Sequence, residues 1–229
     1  MPAKKILLIS QVFYPDEVAA ANLFTRLCVI LTENGGPGIE VWSAQPSYTC
    51  RERQPRYRKY MGIDIFYLPS THFHKDKRFG RLMNVLTFSF SVLARMLFSS
   101  GRQTVMSHTV PPILAIFIAF VCRLKRNRFI YVLLDVFPDG LIRLSRLSDK
   151  NVLVALWRKL HLQAFKIASV IVVIGRDMEE WLLSVYPGGK DKIRYIPLWQ
   201  DDDLIKPVPF DENPFVFRYK LQGRFIVQY

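Results

Sequence analysis

Thr104-Val105-Met106-Ser107-His108-Thr109, then Pro112 to Leu124, then Arg128-Phe129-Ile130-Tyr131-Val132-Leu133-Leu134 form an apolar, a helical and a second apolar segment in succession. The two flanking runs are short, apolar and rich in β-branched and aromatic residues, as strands buried on both faces are. The segment between them opens on proline and is apolar at helical spacing, which suits a helix whose first turn tolerates a missing N–H. A strand, a helix and a second strand in about thirty residues make a parallel crossover unit, since parallel neighbours need a long connection. The same unit recurs outward in both directions. Residues 4–10 read as a strand, and residues 19–33 as a helix carrying Leu23, Leu27, Ile30 and Leu31 on one side. Gly35-Gly36-Pro37-Gly38 breaks the chain, and strands follow at 39–44 and 63–68 around a basic, proline-bearing loop at 45–60. Helices at 81–98, 152–167 and 177–185 and strands at 169–174 and 193–197 complete the series. The expected class is α/β: a Rossmann-like, mostly parallel sheet with helices on both faces.

The chain changes character after Pro197-Leu198-Trp199. Residues 200–224 hold Asp201, Asp202, Asp203, Pro207, Pro209 and Pro214, a composition that opposes both helix and central strand, and they read as a linker. Phe225-Ile226-Val227 then reads as the opening strand, residues 225–229, of a second domain. The expected organisation is a Rossmann-like domain at 1–199, a linker, and the start of a further domain belonging to a longer protein.

Composition narrows the possibilities. Half of the 229 residues are hydrophobic, enough for a full core. Cys28, Cys50 and Cys122 form no Cys-x-x-Cys pair, so neither a disulfide framework nor a zinc site is suggested, and a reducing cytoplasm fits. Ile6-Leu7-Leu8-Ile9 is too short for a signal-peptide core. A net charge of +13 attracts phosphates and acidic lipids before any specific contact forms. The excess gathers at Arg51, Arg53, Arg56, Arg58 and Lys59; at Lys75, Lys77, Arg78 and Arg81; and at Arg123, Lys125, Arg126 and Arg128. No recognisable nucleic-acid-binding motif accompanies these clusters, so nucleic acid is not an expected partner. Neither Leu82 to Phe98, which contains Asn84 and Arg95, nor Ile113 to Cys122 supplies the roughly 20 clean apolar residues of a membrane span. The first of these, entered through a basic segment, reads either as a helix lying on an anionic membrane or as a core-facing amphipathic helix.

Ligands of an open parallel sheet bind beyond the carboxyl ends of its strands, which directs attention to the loops there. Gln11 to Asn22 carries Tyr14, Asp16 and Glu17, and the small Ala19 and Ala20 let an anion approach free backbone N–H groups where a helix begins. His108 ends one strand, and its near-neutral reference pKa makes it a candidate acid or base. Asp135-Val136-Phe137-Pro138-Asp139 follows the next, Gly175-Arg176-Asp177-Met178 the one after, and Pro197-Leu198-Trp199 the last. Asp135 and Asp139 read equally as caps of the following turn, which Asp beside Pro often is. His72 and His74 have no third ligand at convincing spacing, so no metal is expected. Gly-x-Gly-x-x-Gly, Walker and Gly-x-Ser-x-Gly patterns are absent from the sequence.

These loops carry a family resemblance. Phe13-Tyr14-Pro15-Asp16-Glu17, Asp135 to Asp139, Val173 to Met178 and Ile196-Pro197-Leu198-Trp199-Gln200-Asp201 occur in the order found in the N-terminal half of GT-B-fold, group 1 (family four) glycosyltransferases. The chain resembles that half from Lys4 to Tyr229, and above all its bacterial polysaccharide-assembly members. The resemblance implies a retaining transfer from a nucleotide-sugar co-substrate, with no other cofactor, to a lipid-linked or glycan acceptor. The acceptor is held mainly by this domain, the donor mainly by a second one, at the inner face of the membrane. With it go catalytic roles for Asp135 and Asp139, and substrate contacts from Tyr14, Asp16, Glu17, Ala20, Asn22, Arg176 and Trp199; His108 stands beside them as a further catalytic candidate on its pKa alone, and reads equally as a satisfied structural histidine. Ala19-Ala20 stands where the family often has two glycines, Leu198 where it has Asn, and Asp135 where many members have His. The Glu-x7-Glu region of the family falls outside this sequence. The competing expectation is a non-catalytic module that binds membrane or a partner supplying the donor domain.

Overall fold

A computed structural model describes residues 5–46, 48–50, 52–74, 77–100, 103–144, 146–199 and 206–227. The chain divides into two units, residues 1–196 and 197–229. Arg51, Lys75, Gln200, Asp201 to Asp203 and positions 228–229, all invoked above, lie outside the described residues.

The first unit is one eight-stranded sheet. Its strands are β1 (Ile6–Ser10), β2 (Ile39–Ser43), β3 (Tyr57–Tyr60), β4 (Ile63–Tyr67), β5 (Thr104–His108), β6 (Arg128–Leu133), β7 (Val170–Val173) and β8 (Ile193–Tyr195), in the order β3-β4-β2-β1-β5-β6-β7-β8. All neighbours are parallel except the β3–β4 pair. The strands read from sequence are therefore present, as are helices α1 (Ala19–Glu33), α2 (Arg78–Phe98), α3 (Pro112–Leu124), α5 (Val152–Ile167) and α6 (Arg176–Val185). The strand order reverses at β1, which pairs with β2 on one side and β5 on the other.

Period-two alternation sends neighbouring strand residues to opposite faces. Leu8, Val41, Ile65 and Met106 pack with Phe24, Cys28 and Val29 of α1. Leu7, Ile9, Trp42, Val105 and Tyr131 pack on the other face with Phe88 and Val92 of α2, Ala115 and Ile118 of α3, Phe165 of α5 and Leu182 of α6. All three cysteines are free thiols, and burial pushes Cys28 and Cys122 up to about 12.

Several elements were not expected, among them a 3-10 helix at Pro187–Lys192 before β8. β3 lies in the supposed basic loop: its outward residues are charged or aromatic, and it joins β4 through Met61 (φ 45°) and Gly62 (φ 81°). Two successive positive φ values make a type I′ turn, and with Met rather than Asn in the first place the usual hairpin signature is missing. A Cβ on Gly62 would lie 2.6 Å from Thr32 Cγ2 and would also have to adopt that φ. Gly62→Ala is expected to cost about 1–2 kcal/mol, read from the midpoint of urea unfolding. Another addition is α4 (Asp139–Arg143), a single turn after Pro138.

A further addition is in the second unit. A 3-10 turn at Phe210–Glu212 and helix α7 (Pro214–Arg218) occupy part of the stretch read as linker. Pro214 is the first residue of α7, where its lack of an N–H costs nothing, and the Asn213 side chain caps the helix by accepting from Phe215 N at 2.9 Å. The exit is a Schellman motif: Leu221 N–H donates to Val216 O across Lys220, whose φ is 51°. Residues 225–227, the described part of the expected strand, form none. Arg224 N–H instead donates to Leu221 O in a turn, past Gly223 at φ 68°.

Candidate functional site

The carboxyl ends of β1, β5 and β6 lie side by side at the switch point, and buried polar side chains set the loops that leave them. Ser10, at the end of β1, meets His108, at the end of β5, with Oγ and Nε2 2.7 Å apart. Val110 N–H donates to His108 Nδ1 at 3.2 Å. Nδ1 is thus an acceptor, so Nε2 carries the proton and donates to Ser10 Oγ, whose own hydrogen goes to Val12 O at 2.6 Å. Phe24 of α1 stacks on the imidazole at 4.4 Å, and His108 is 1% exposed. Burial pulls its pKa down to about 3. The expectation of His108 as an acid or base is corrected: it is a neutral tie between two loops, with both ring nitrogens bonded and almost no surface to offer a substrate.

The next connection is Thr109. Its fully buried hydroxyl oxygen accepts from Leu134 N at 3.1 Å and Asp135 N at 3.2 Å. The loop after β6 is thereby fixed to the loop after β5, and the Asp135 backbone is held at the sheet edge. The Asp135 side chain is exposed, and among the described residues its carboxylate has no hydrogen-bond or ion-pair partner. The surrounding walls still desolvate it enough to raise its pKa above the ordinary aspartate value. Capping, the alternative open for Asp135, is not what the side chain does.

Asp139 is different. Its Oδ1 accepts from Arg158 Nε at 3.1 Å and Nη2 at 2.5 Å, and Arg158 also reaches Asp149. Asp139 thus ties the first turn of α4 to α5, and the expected sharing of catalytic work with Asp135 gives way to a structural ion pair. His161 beside it is buried, donating from Nδ1 to Phe137 O and accepting at Nε2 from Tyr131 O–H, both at 2.8 Å. Burial holds it at about 4.

Asp16 is 4% exposed, and its Oδ1 accepts from the amides of Tyr48, Thr49 and Cys50 at 3.1, 2.8 and 3.2 Å. Thr49 Oγ1 donates to the same oxygen and accepts from Glu17 N at 2.7 Å. A hydroxyl-binding role for Asp16 is therefore corrected: the carboxylate clasps the loop at 48–50 to the loop after β1. Gln45 closes that loop from the other side, accepting from Gln54 N at 2.8 Å and donating to Gln54 O at 3.0 Å. Tyr14 is half-buried, stacked on Tyr60 at 3.9 Å with the Arg58 guanidinium 5.0 Å from its ring. The exposed residues of this edge are Glu17, Ala19 and Asn22, with Ala20 half-exposed at the start of α1, where no side chain caps the free N–H groups. Arg176, the first residue of α6, is exposed with its guanidinium 5.0 Å from the Tyr195 ring. Trp199 belongs to the second unit. Thr109 and Ser10 were missed from sequence; a hydroxyl at a strand end gives no signal of the loop it will hold. Among the described residues no three His, Cys, Asp or Glu side chains converge as metal ligands.

This architecture, a parallel sheet with an open carboxyl edge at a switch point, is the fold of one Rossmann-like half of the GT-B glycosyltransferases. The catalytic domain of starch synthase IV from Arabidopsis thaliana, bound to ADP and acarbose, superposes with a TM-score of 0.56 at 13% identity, over 88% of this chain and 52% of that one. Anabaena Alr3699/HepE in complex with UDP-glucose does so with a TM-score of 0.52 at 12% identity, over 96% and 50%. In sequence the chain is 25% identical over 183 residues to the probable glycosyltransferase WbjE of Pseudomonas aeruginosa, covering 79% of this chain. The chain spans 45% of the length of that relative. No family model matches it.

Proposed function

We propose that this chain is the acceptor-binding half of a retaining glycosyltransferase that moves a sugar from a nucleotide-sugar donor to a lipid-linked or polysaccharide acceptor in cell-envelope or exopolysaccharide synthesis. The observation that carries the reading is Asp135: an aspartate held by its backbone at the switch-point edge, partly desolvated, whose carboxylate has no hydrogen-bond or ion-pair partner among the described residues. In such a transfer the acceptor oxygen bonds to the sugar C1 as the bond from C1 to the diphosphate breaks; the diphosphate leaves with the electron pair and takes up the proton that the acceptor hydroxyl gives up. Asp135 accepts the hydrogen bond of the attacking hydroxyl and orients it. Arg176 and the uncapped N-terminus of α1 offer positive potential for an anion, and Glu17 and Asn22 offer exposed partners for hydroxyls. The likeness to WbjE and to folds that bind ADP or UDP-glucose supports a nucleotide-sugar donor.

In the complete protein, Asp135→Asn is expected to lower kcat about 100-fold with KM for the donor little changed. The melting temperature should stay put, because no folded contact of the side chain is lost. Unaltered turnover would remove Asp135 from the mechanism. The second reading, a non-catalytic binding module, is favoured by the commitment of Asp16, Asp139 and His108 to internal contacts.

A further inference from the structure

Helix α2 is apolar on both sides. Its inner side buries Phe88, Val92 and Met96 in the core, and Asn84 fixes the helix entrance by exchanging hydrogen bonds with both backbone groups of Phe73 at 2.9 Å. The outer side should then be polar. Instead Phe79 (73% exposed), Leu82 (53%), Leu86 (52%), Phe90 (75%) and Leu97 (47%) follow one another at three-, four- and seven-residue spacing. At 1.5 Å per residue this stripe runs about 27 Å along the helix, and among the described residues no charged side chain of α2 shares its line. Five large apolar side chains in one line are far from the scattered exposure normal on a soluble surface.

The stripe has cations at both ends. Lys77 and Arg81 are exposed at its start. At its end Lys125 Nζ donates to Leu97 O at 2.8 Å and to Ser99 O at 2.5 Å, which places the end of α3 there, with exposed Arg123 and Arg126 beside it in the chain. An apolar stripe bracketed by exposed cations is complementary to one kind of surface: acyl chains under anionic headgroups. We propose that the outer side of α2 docks on an anionic membrane, with Phe79, Leu82, Leu86, Phe90 and Leu97 in the acyl boundary and Lys77, Arg81, Arg123 and Arg126 at the headgroups.

By length and composition alone Phe79–Phe98 meets the requirement for a span, since the helix begins earlier than residue 81. Spanning would pull Phe88, Val92 and Met96 out of the core and break the contacts of the Arg95 guanidinium, 4.7 Å from the Trp42 ring and 4.8 Å from the Phe66 ring. The helix therefore lies on the membrane with its inner side still on the sheet. The proposal does not depend on the catalytic reading, and its test uses no sugar.

The test is flotation of the 229-residue chain with vesicles of phosphatidylcholine alone or with 30% phosphatidylglycerol, a composition chosen to supply the anionic charge. Binding is expected to the anionic vesicles only, falling at least tenfold when salt is raised from 50 to 500 mM. Leu86→Asp with Phe90→Asp should abolish binding, and Lys77→Glu with Arg81→Glu should weaken it at least tenfold. Both pairs are exposed, so circular dichroism and melting temperature should match the parent. Failure of the parent to float, or undiminished flotation of the Leu86/Phe90 variant, overturns the proposal. So does a parent dimer that becomes monomeric in that variant without any vesicle binding, which would assign the stripe to a second copy of the chain. Binding that resists salt and alkaline carbonate would contradict docking in favour of spanning.

Discussion

Between pH 7.5 and 4.5 the protein is expected to lose about 5 kcal/mol of stability, with a slope approaching two protons. Two histidines are responsible. Burial holds His108 at about 3 and His161 at about 4, whereas in the unfolded chain each titrates near the ordinary 6.5. Between those values the unfolded state binds protons that the folded state refuses. Stability is therefore intact above pH 6.5 and lost progressively as the pH falls toward the folded values. The structure shows why refusal is strong at His108: a proton on Nδ1 would face the Val110 N–H that now donates to it. Urea unfolding midpoints at pH 7.5, 6.0, 5.0 and 4.5 read the slope. His161→Gln should roughly halve it whatever that change does to stability at pH 7.5. Midpoints independent of pH down to 4.5 would show that the two rings are not sequestered.

Asp16→Ala should cost about 2–3 kcal/mol, since hydrogen bonds to a charged group count for more than neutral ones and three amides lose their acceptor together. The partial exposure of residues 48–50 lets water recover part of the loss. Asp16→Asn keeps one acceptor oxygen without the charge and should cost about 1 kcal/mol. Limited proteolysis reads the local effect: trypsin cleavage at Arg53 should accelerate in Asp16→Ala because the loop is released from the one after β1. A change below about 0.5 kcal/mol with unaltered cleavage would mean that the clasp contributes little.

The two predictions mark where sequence reasoning ran out. The parallel strands and their helices were legible because buried strands between amphipathic helices leave periodic apolar runs, and those runs survive without any partner being known. β3 was not, because its Tyr-Arg-Lys-Tyr pattern resembles a basic loop and Met61 conceals its turn. α7 was hidden by Pro214, a residue that breaks a helix interior yet suits its first turn. That these loops leave the carboxyl ends of strands was legible, but what their side chains contact was not. Asp16, Asp139 and Asp135 look alike in a sequence; what separates them is whether an amide, an arginine or nothing stands opposite. His108 failed for the same reason, since Ser10 is 98 residues away along the chain.

Sugar transfer is tested by incubating the complete protein with UDP-, GDP- and dTDP-sugars and a lipid extract of its own cells, following release of nucleoside diphosphate. Release from one donor that depends on the extract is expected, matched by labelled sugar in the lipid or polymer fraction, and lost in Asp135→Asn. Absence of extract-dependent release from every donor, by protein shown to be folded, would contradict the proposed transfer.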